Sequence, residues 1–241
     1  MSPSDLTADS STRRSATQLG FWAAILTVAV AAMFAAIAIP TPPRSGPFCA
    51  SACVAYPYLD VAQFIPGDYL WLVPGILLAV ILVVLMGSIH YYAAAPKRLY
   101  TIIGLSFTVA YAVVILVDYF VQLTVVLPSL QAGQTDGLSP FTQYDPHGLF
   151  IALEALGYAM LTIALLFASP AFADGRVERA IRWLFVSAFM LMVAAFVGLA
   201  VVGRDLVAFE VTVLLITWAV LIPSGALLGV VFRRAAEASP L

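Results

Sequence analysis

Charge is what this sequence has least of. Only 10% of its 241 residues are Asp, Glu, Lys or Arg, against the roughly 25% usual in soluble domains. A soluble protein of this length would lack the charge to coat its exterior. With 11 Lys+Arg against 13 Asp+Glu, there is no basic footprint for a phosphate backbone, so nucleic acid is excluded as a partner. Lysine occurs once, at Lys97, outside every apolar segment, which excludes a retinal Schiff base of the rhodopsin type. No apolar segment carries regularly spaced arginines, which excludes a voltage sensor. The two histidines, His90 and His147, are too few for the multi-histidine zinc sites of membrane hydrolases. Neither H-E-x-x-H nor G-x-S-x-G occurs. No metal site and no cofactor is expected.

What is present is apolar. Hydrophobic residues make up 63% of the chain and the mean hydropathy is +1.02. A helix needs about 20 mainly apolar residues to cross the hydrocarbon core of a bilayer. Six segments meet that test: Gly20–Ala38, Leu70–Tyr92, Leu99–Val126, Leu149–Ser169, Ile181–Val202 and Leu206–Phe232. They are too long to be barrel strands, which would alternate over about 10 residues. The first segment follows Arg13 and Arg14 and ends near Ala36–Ile37–Ala38, which imitates a signal-peptide cleavage site. Its apolar stretch is longer than the ~7–15 residues of a signal core, so it reads as a retained helix. The expected fold is all-α: a polytopic membrane protein with a bundle of six transmembrane helices.

Orientation follows from Lys and Arg in the short connections. Arg13, Arg14, Lys97, Arg98, Arg176, Arg179, Arg182, Arg233 and Arg234 fall on one side; only Arg44 and Arg204 fall on the other. Nine against two places both termini in the cytoplasm of a plasma-membrane protein. The organisation is then a cytoplasmic tail over 1–19, one transmembrane domain over 20–232, and a cytoplasmic tail over 233–241. Its outer loops run over about 40–69 and 127–148. Tyr69 and Trp71 suit the outer boundary, and Trp22, Tyr91, Tyr92, Tyr100 and Trp183 the inner one. Trp218 is the exception, near mid-membrane.

Cys49 and Cys53 lie together in the first outer loop. The compartment permits a disulfide, and four residues is within bridging reach if the loop turns tightly. A redox-active pair would favour the tighter C-x-x-C and usually a second pair.

Ionisable side chains inside the spans carry the functional expectation, because a charge at depth costs several kcal/mol unless paired or hydrated. From a rise of ~1.5 Å per residue, Asp118 lies roughly 12 Å, Glu154 roughly 8 Å and Glu210 roughly 6 Å from the outer end. Helical spacing puts Tyr111, Asp118 and Gln122 on one face and strings His147, Glu154, Tyr158 and Thr162 along another. Glu210 and Thr217 share a third. The bland alternative is a hydrogen-bonded network of Asp118, Gln122, Glu154 and Tyr158 that joins helices, with Glu210 pointing to water beside Arg204. Asp145–Pro146 reads as an N-cap with proline in the first turn, which sets His147 at the mouth. His147 and Glu154 are two turns apart, too far to hold one metal ion unaided.

Pro74 and Pro223 are candidate kinks. Gly225 and Gly229 form G-x-x-x-G, a small face fit for close approach and for self-association into a homo-oligomer. Three functions follow as expectations. The first is binding or transport of a cation, small molecule or lipid in an outward-facing acidic cavity lined by Asp118, Gln122, Glu154, Tyr158 and Glu210. The second is an intramembrane enzyme acting on a lipid or isoprenoid, with Glu154 or Asp118 as acid or base and His147 assisting. The third is an accessory subunit docked through its outer loops. Membrane lipids are partners in all three.

Overall fold

A computed structural model describes residues 3–203 and 206–237, with side chains described for residues 14–201, 203 and 206–237. Arg204 lies outside the described residues. Seven α-helices form among the described residues: α1 (Pro3–Ala38), α2 (Leu72–Tyr92), α3 (Arg98–Val121), α4 (Leu127–Ala132), α5 (Leu149–Ala168), α6 (Arg176–Val202) and α7 (Leu206–Glu237). No strand is present among them. Six helical stretches are long and apolar enough to cross a membrane, and they coincide with the six apolar segments of the sequence. The chain has the architecture of a multi-pass membrane protein.

The ends differ from expectation in instructive ways. α1 runs back to Pro3 and α7 on to Glu237, so helix continues into both polar tails. α3 does not stop at Val126. A π-turn over Gln122–Val126, in which the Leu127 N–H bonds the Gln122 carbonyl, carries it into α4 past Pro128. The wider turn relieves the clash a proline makes with the carbonyl four residues back. Gly133, at φ 71°, then ends the helix in a left-handed cap. Pro74 is no kink: it is the third residue of α2, in the first turn, where its missing N–H has no helical partner to lose. Pro223 does lie inside α7, and there Ser224 Oγ donates to the Val220 carbonyl at 2.6 Å.

The six long helices form a closed ring in chain order. Each packs on the next, α7 returns to α1, and α5 also reaches α7 across the ring. Short connections favour such neighbours. The α1–α7 seam is closest around glycine. A Cβ on Gly225 would stand 2.8 Å from Val28 Cγ2 and 3.2 Å from the Ala24 carbonyl, and one on Gly229 3.3 Å from Ile25 Cδ1. This corrects the expectation of a homo-oligomer through Gly225 and Gly229: the small face is filled by α1 of the same chain.

The ring has two unlike ends. One, the long-loop end, carries residues 39–71 and 133–148. The other carries the short turns near Pro96 and Pro170. Apolar side chains point outward on every flank, most of all on α6, where Trp183, Met190, Phe196, Val197 and Val201 are exposed. In water such a surface would drive association; among acyl chains it costs nothing.

Candidate functional site

The polar side chains inside the ring collect between α3, α5 and α7. On α3, Tyr111, Asp118 and Gln122 do share a face and all three are buried. Tyr119, one position on, turns toward α2 and α5. Its ring fits because residue 75 is glycine: a Cβ there would stand 2.4 Å from Tyr119 Cε2. The ring stacks on Phe150 and meets Trp71 edge-on, with centroids 6.0 and 5.5 Å apart.

This placement aims the Tyr119 hydroxyl at Glu154, the fully buried acid of α5. Tyr119 donates to Glu154 Oε1 and lies 3.3 Å from the Tyr158 hydroxyl. Glu154 also abuts the Glu210 carboxyl, which reaches in from α7. Asp118 lies within electrostatic reach of both glutamates. The three acids expected from depth alone therefore do neighbour one another. Among the described residues, no three His, Cys, Asp or Glu side chains are placed to hold one metal ion.

Several of these polar atoms have no partner. Asp118 Oδ2, Gln122 Oε1 and Glu154 Oε2 are buried without a donor among the described residues, while Gln122 Nε2 donates to the Phe141 carbonyl at 2.6 Å. Buried polar atoms are nearly always satisfied, so each orphan marks a place where something is missing or stored.

A cavity of about 410 Å³ opens beside this cluster at the long-loop end. Ala38 and Ile39 border it from the α1 side, Trp71 from the start of α2, Phe150 and Ile151 from α5, and Val207, Glu210, Val211, Leu214, Leu215 and Trp218 from α7. Here the structure corrects the expected lining. Of Asp118, Gln122, Glu154, Tyr158 and Glu210, only Glu210 lies on the wall. The other four are buried off the wall. His147 is outside as well. The helix it was to cap begins later, with Gly148 as N-cap, because Asp145 turns back on itself. The Gly148 N–H bonds the Asp145 carbonyl at 2.9 Å and the His147 N–H bonds Asp145 Oδ1 at 3.0 Å. That turn leaves His147 exposed and away from Glu154.

No family model, curated protein or solved structure matches the chain.

The roof of the cavity holds what the sequence did not disclose. Arg44 Nε and Nη2 donate to Asp68 at 3.0 and 3.2 Å, a two-pronged ion pair, and the guanidinium lies 3.7 Å over the Phe64 ring. The hydrogen bond that Arg44 donates to Asp68 raises its pKa above the ordinary value, so the guanidinium stays charged. Tyr144 donates to Asp68 at 3.4 Å and its backbone carbonyl accepts from Ser45. Burial, then neighbouring Tyr69 and Asp68, push the Tyr144 hydroxyl well above its ordinary pKa, so it stays a donor. The two long connections are thus stitched together over the site. Cys49 and Cys53 staple the first of them, with Sγ atoms bonded and Cα atoms 5.8 Å apart. The one sequence signal for this roof was Arg44 itself, a rare cation on the side with almost none.

Trp218, the odd tryptophan of the sequence, is the other find. Its ring is on the cavity wall, 7% exposed, while its indole N–H is buried without an acceptor among the described residues.

Proposed function

We propose that this chain is a plasma-membrane protein that binds a small amphipathic ligand in the cavity at its long-loop end. That end faces outward, since the nine-to-two split of basic residues leaves both termini inside. The observation that carries the reading is Glu210. A carboxyl group stands on the wall of an otherwise largely apolar cavity, which has the size typical of ligand sites, roughly 300–1,000 Å³. Apolar lining supplies affinity, and one or a few convergent polar groups fix orientation.

The buried acids Asp118 and Glu154 support Glu210 from behind rather than touch the ligand, and Tyr119 and Tyr158 hold Glu154 in place. An acid–base enzyme using His147 is the weaker reading, since His147 lies on an exposed turn. The α1–α7 seam packs closely at Gly225 and Gly229, toward the opposite end of the ring, and this supports a pocket over a through-channel.

The test uses the full chain in lipid nanodiscs and a panel of six-carbon amphiphiles: cationic, anionic and neutral. At least one member is expected to raise the unfolding temperature saturably. Leu214→Trp, which fills the cavity from α7, is expected to abolish that shift. If no member binds, or Leu214→Trp leaves binding intact, the cavity is not the site.

A further inference from the structure

Resting on the cavity-binding function above, we propose that the ligand is an organic ammonium cation with an apolar tail, as in a choline ester. Four features of the wall converge on this class. Trp71, Phe150 and Trp218 present aromatic rings around one space. Rings and a carboxylate on an apolar wall are the chemistry that recognises alkylated ammonium groups, whose charge is spread and weakly hydrated. Glu210, whose carboxyl hydrogen-bonds the Glu154 carboxyl behind it, puts the acidic group of that pair on the wall.

The other charged groups on that wall are already matched. Arg44 is held by both oxygens of Asp68, so an anionic head finds no free cation there. An inorganic cation would need several oxygens at short range, and among the described residues no such group is assembled.

Trp218 and Glu210 lie eight residues apart on α7, roughly 12 Å along the axis. Leu214, Leu215 and Trp218 continue the wall beyond Glu210 and are apolar. The ligand enters tail-first and keeps its cationic head near Glu210 and the roof.

The experiment compares two probes of equal shape on the full chain in nanodiscs: hexanoylcholine and its uncharged carbon isostere, 3,3-dimethylbutyl hexanoate. Isothermal titration reads both. Hexanoylcholine is expected to bind at least tenfold tighter. Glu210→Gln is expected to bring the two to parity without weakening the neutral ester. Equal binding of the two probes to the unaltered chain would overturn the ammonium assignment while leaving the cavity as a site for neutral amphiphiles. A preference that survives Glu210→Gln overturns the role of Glu210. Binding by neither ester, together with silence across the amphiphile panel, sinks both this inference and the cavity reading. The probe comparison on the unaltered chain needs no variant, so a variant that fails to fold does not rescue the proposal.

Discussion

The Tyr119 hydroxyl donates to Glu154 Oε1, and this bond ties α3 to α5 at the buried heart of the ring. Both residues are fully buried. The second oxygen of Glu154 has no donor among the described residues, and the Glu210 carboxyl lies beside it. Tyr119→Phe would keep the ring against Phe150 and Trp71 but strip Glu154 of that donor. An orphaned buried acceptor costs about 1–3 kcal/mol. Thermal unfolding in detergent should show the loss. The double variant Tyr119→Phe/Glu154→Leu should recover part of it, because removing both partners is less costly than removing one.

Gly225 sets the α1–α7 distance. A Cβ there meets Val28 Cγ2 at 2.8 Å and the Ala24 carbonyl at 3.2 Å, and backbone cannot swing away as a side chain can. Gly225→Val should therefore push the helices apart and destabilise the bundle by about 1–3 kcal/mol, the range for overpacking. Gly87 has nothing within 4 Å of its would-be Cβ, so Gly87→Ala is the matched control and should leave the unfolding temperature unchanged or higher.

Arg44 and Asp68 close the roof at 14% and 8% side-chain exposure. Arg44→Met would leave Asp68 with only the Tyr144 hydroxyl at 3.4 Å. Breaking a buried pair by removing one partner costs about 3–5 kcal/mol at full burial. Some exposure to solvent reduces that to about 2 kcal/mol here. Limited proteolysis of residues 40–66 should quicken in the variant, and ligand-dependent protection of that loop should fall.

Orientation is checked by single-cysteine labelling. Thr135→Cys and Asp174→Cys sit at opposite ends of the ring, and the native pair Cys49–Cys53 is already bonded. In intact cells an impermeant maleimide should modify the cysteine at 135 and spare that at 174 until the membrane is opened. The reverse pattern would invert the topology and place the cavity on the cytoplasmic side.

Different parts of the protein were legible to different degrees. Six apolar runs were enough for six helices, because a stretch of about 20 apolar residues has one stable state in a bilayer: all its backbone hydrogen bonds made internally. Depth along a helix is also a local property, counted in residues, which is why Asp118, Glu154 and Glu210 could be set at similar levels before any packing was known. Facing is less local. Spacing put Gln122 with Asp118 correctly, yet it missed Tyr119, whose direction depends on a glycine in another helix, Gly75. Local patterns also misled. Pro146 after Asp145 resembled a helix start, but the turn closed on Gly148 and carried His147 away from the acids. The small Gly225/Gly229 face was readable as a contact, while its partner was not.

By itself the sequence determined the six helices, the scarcity of charge that makes each buried acid costly, and the charge asymmetry on which the proposed orientation rests. These depend on composition and on neighbours within a few turns. Only the tertiary structure decided that Glu210 reaches the cavity while Asp118 and Glu154 stay buried off its wall. It alone joined Arg44 to Asp68 across 24 residues and set the Trp218 ring on the cavity wall. The physical reason is that a cavity is defined by the atoms that fail to fill it. Those atoms come from helices far apart in the chain, brought side by side by close-packed seams such as Gly225 on Val28.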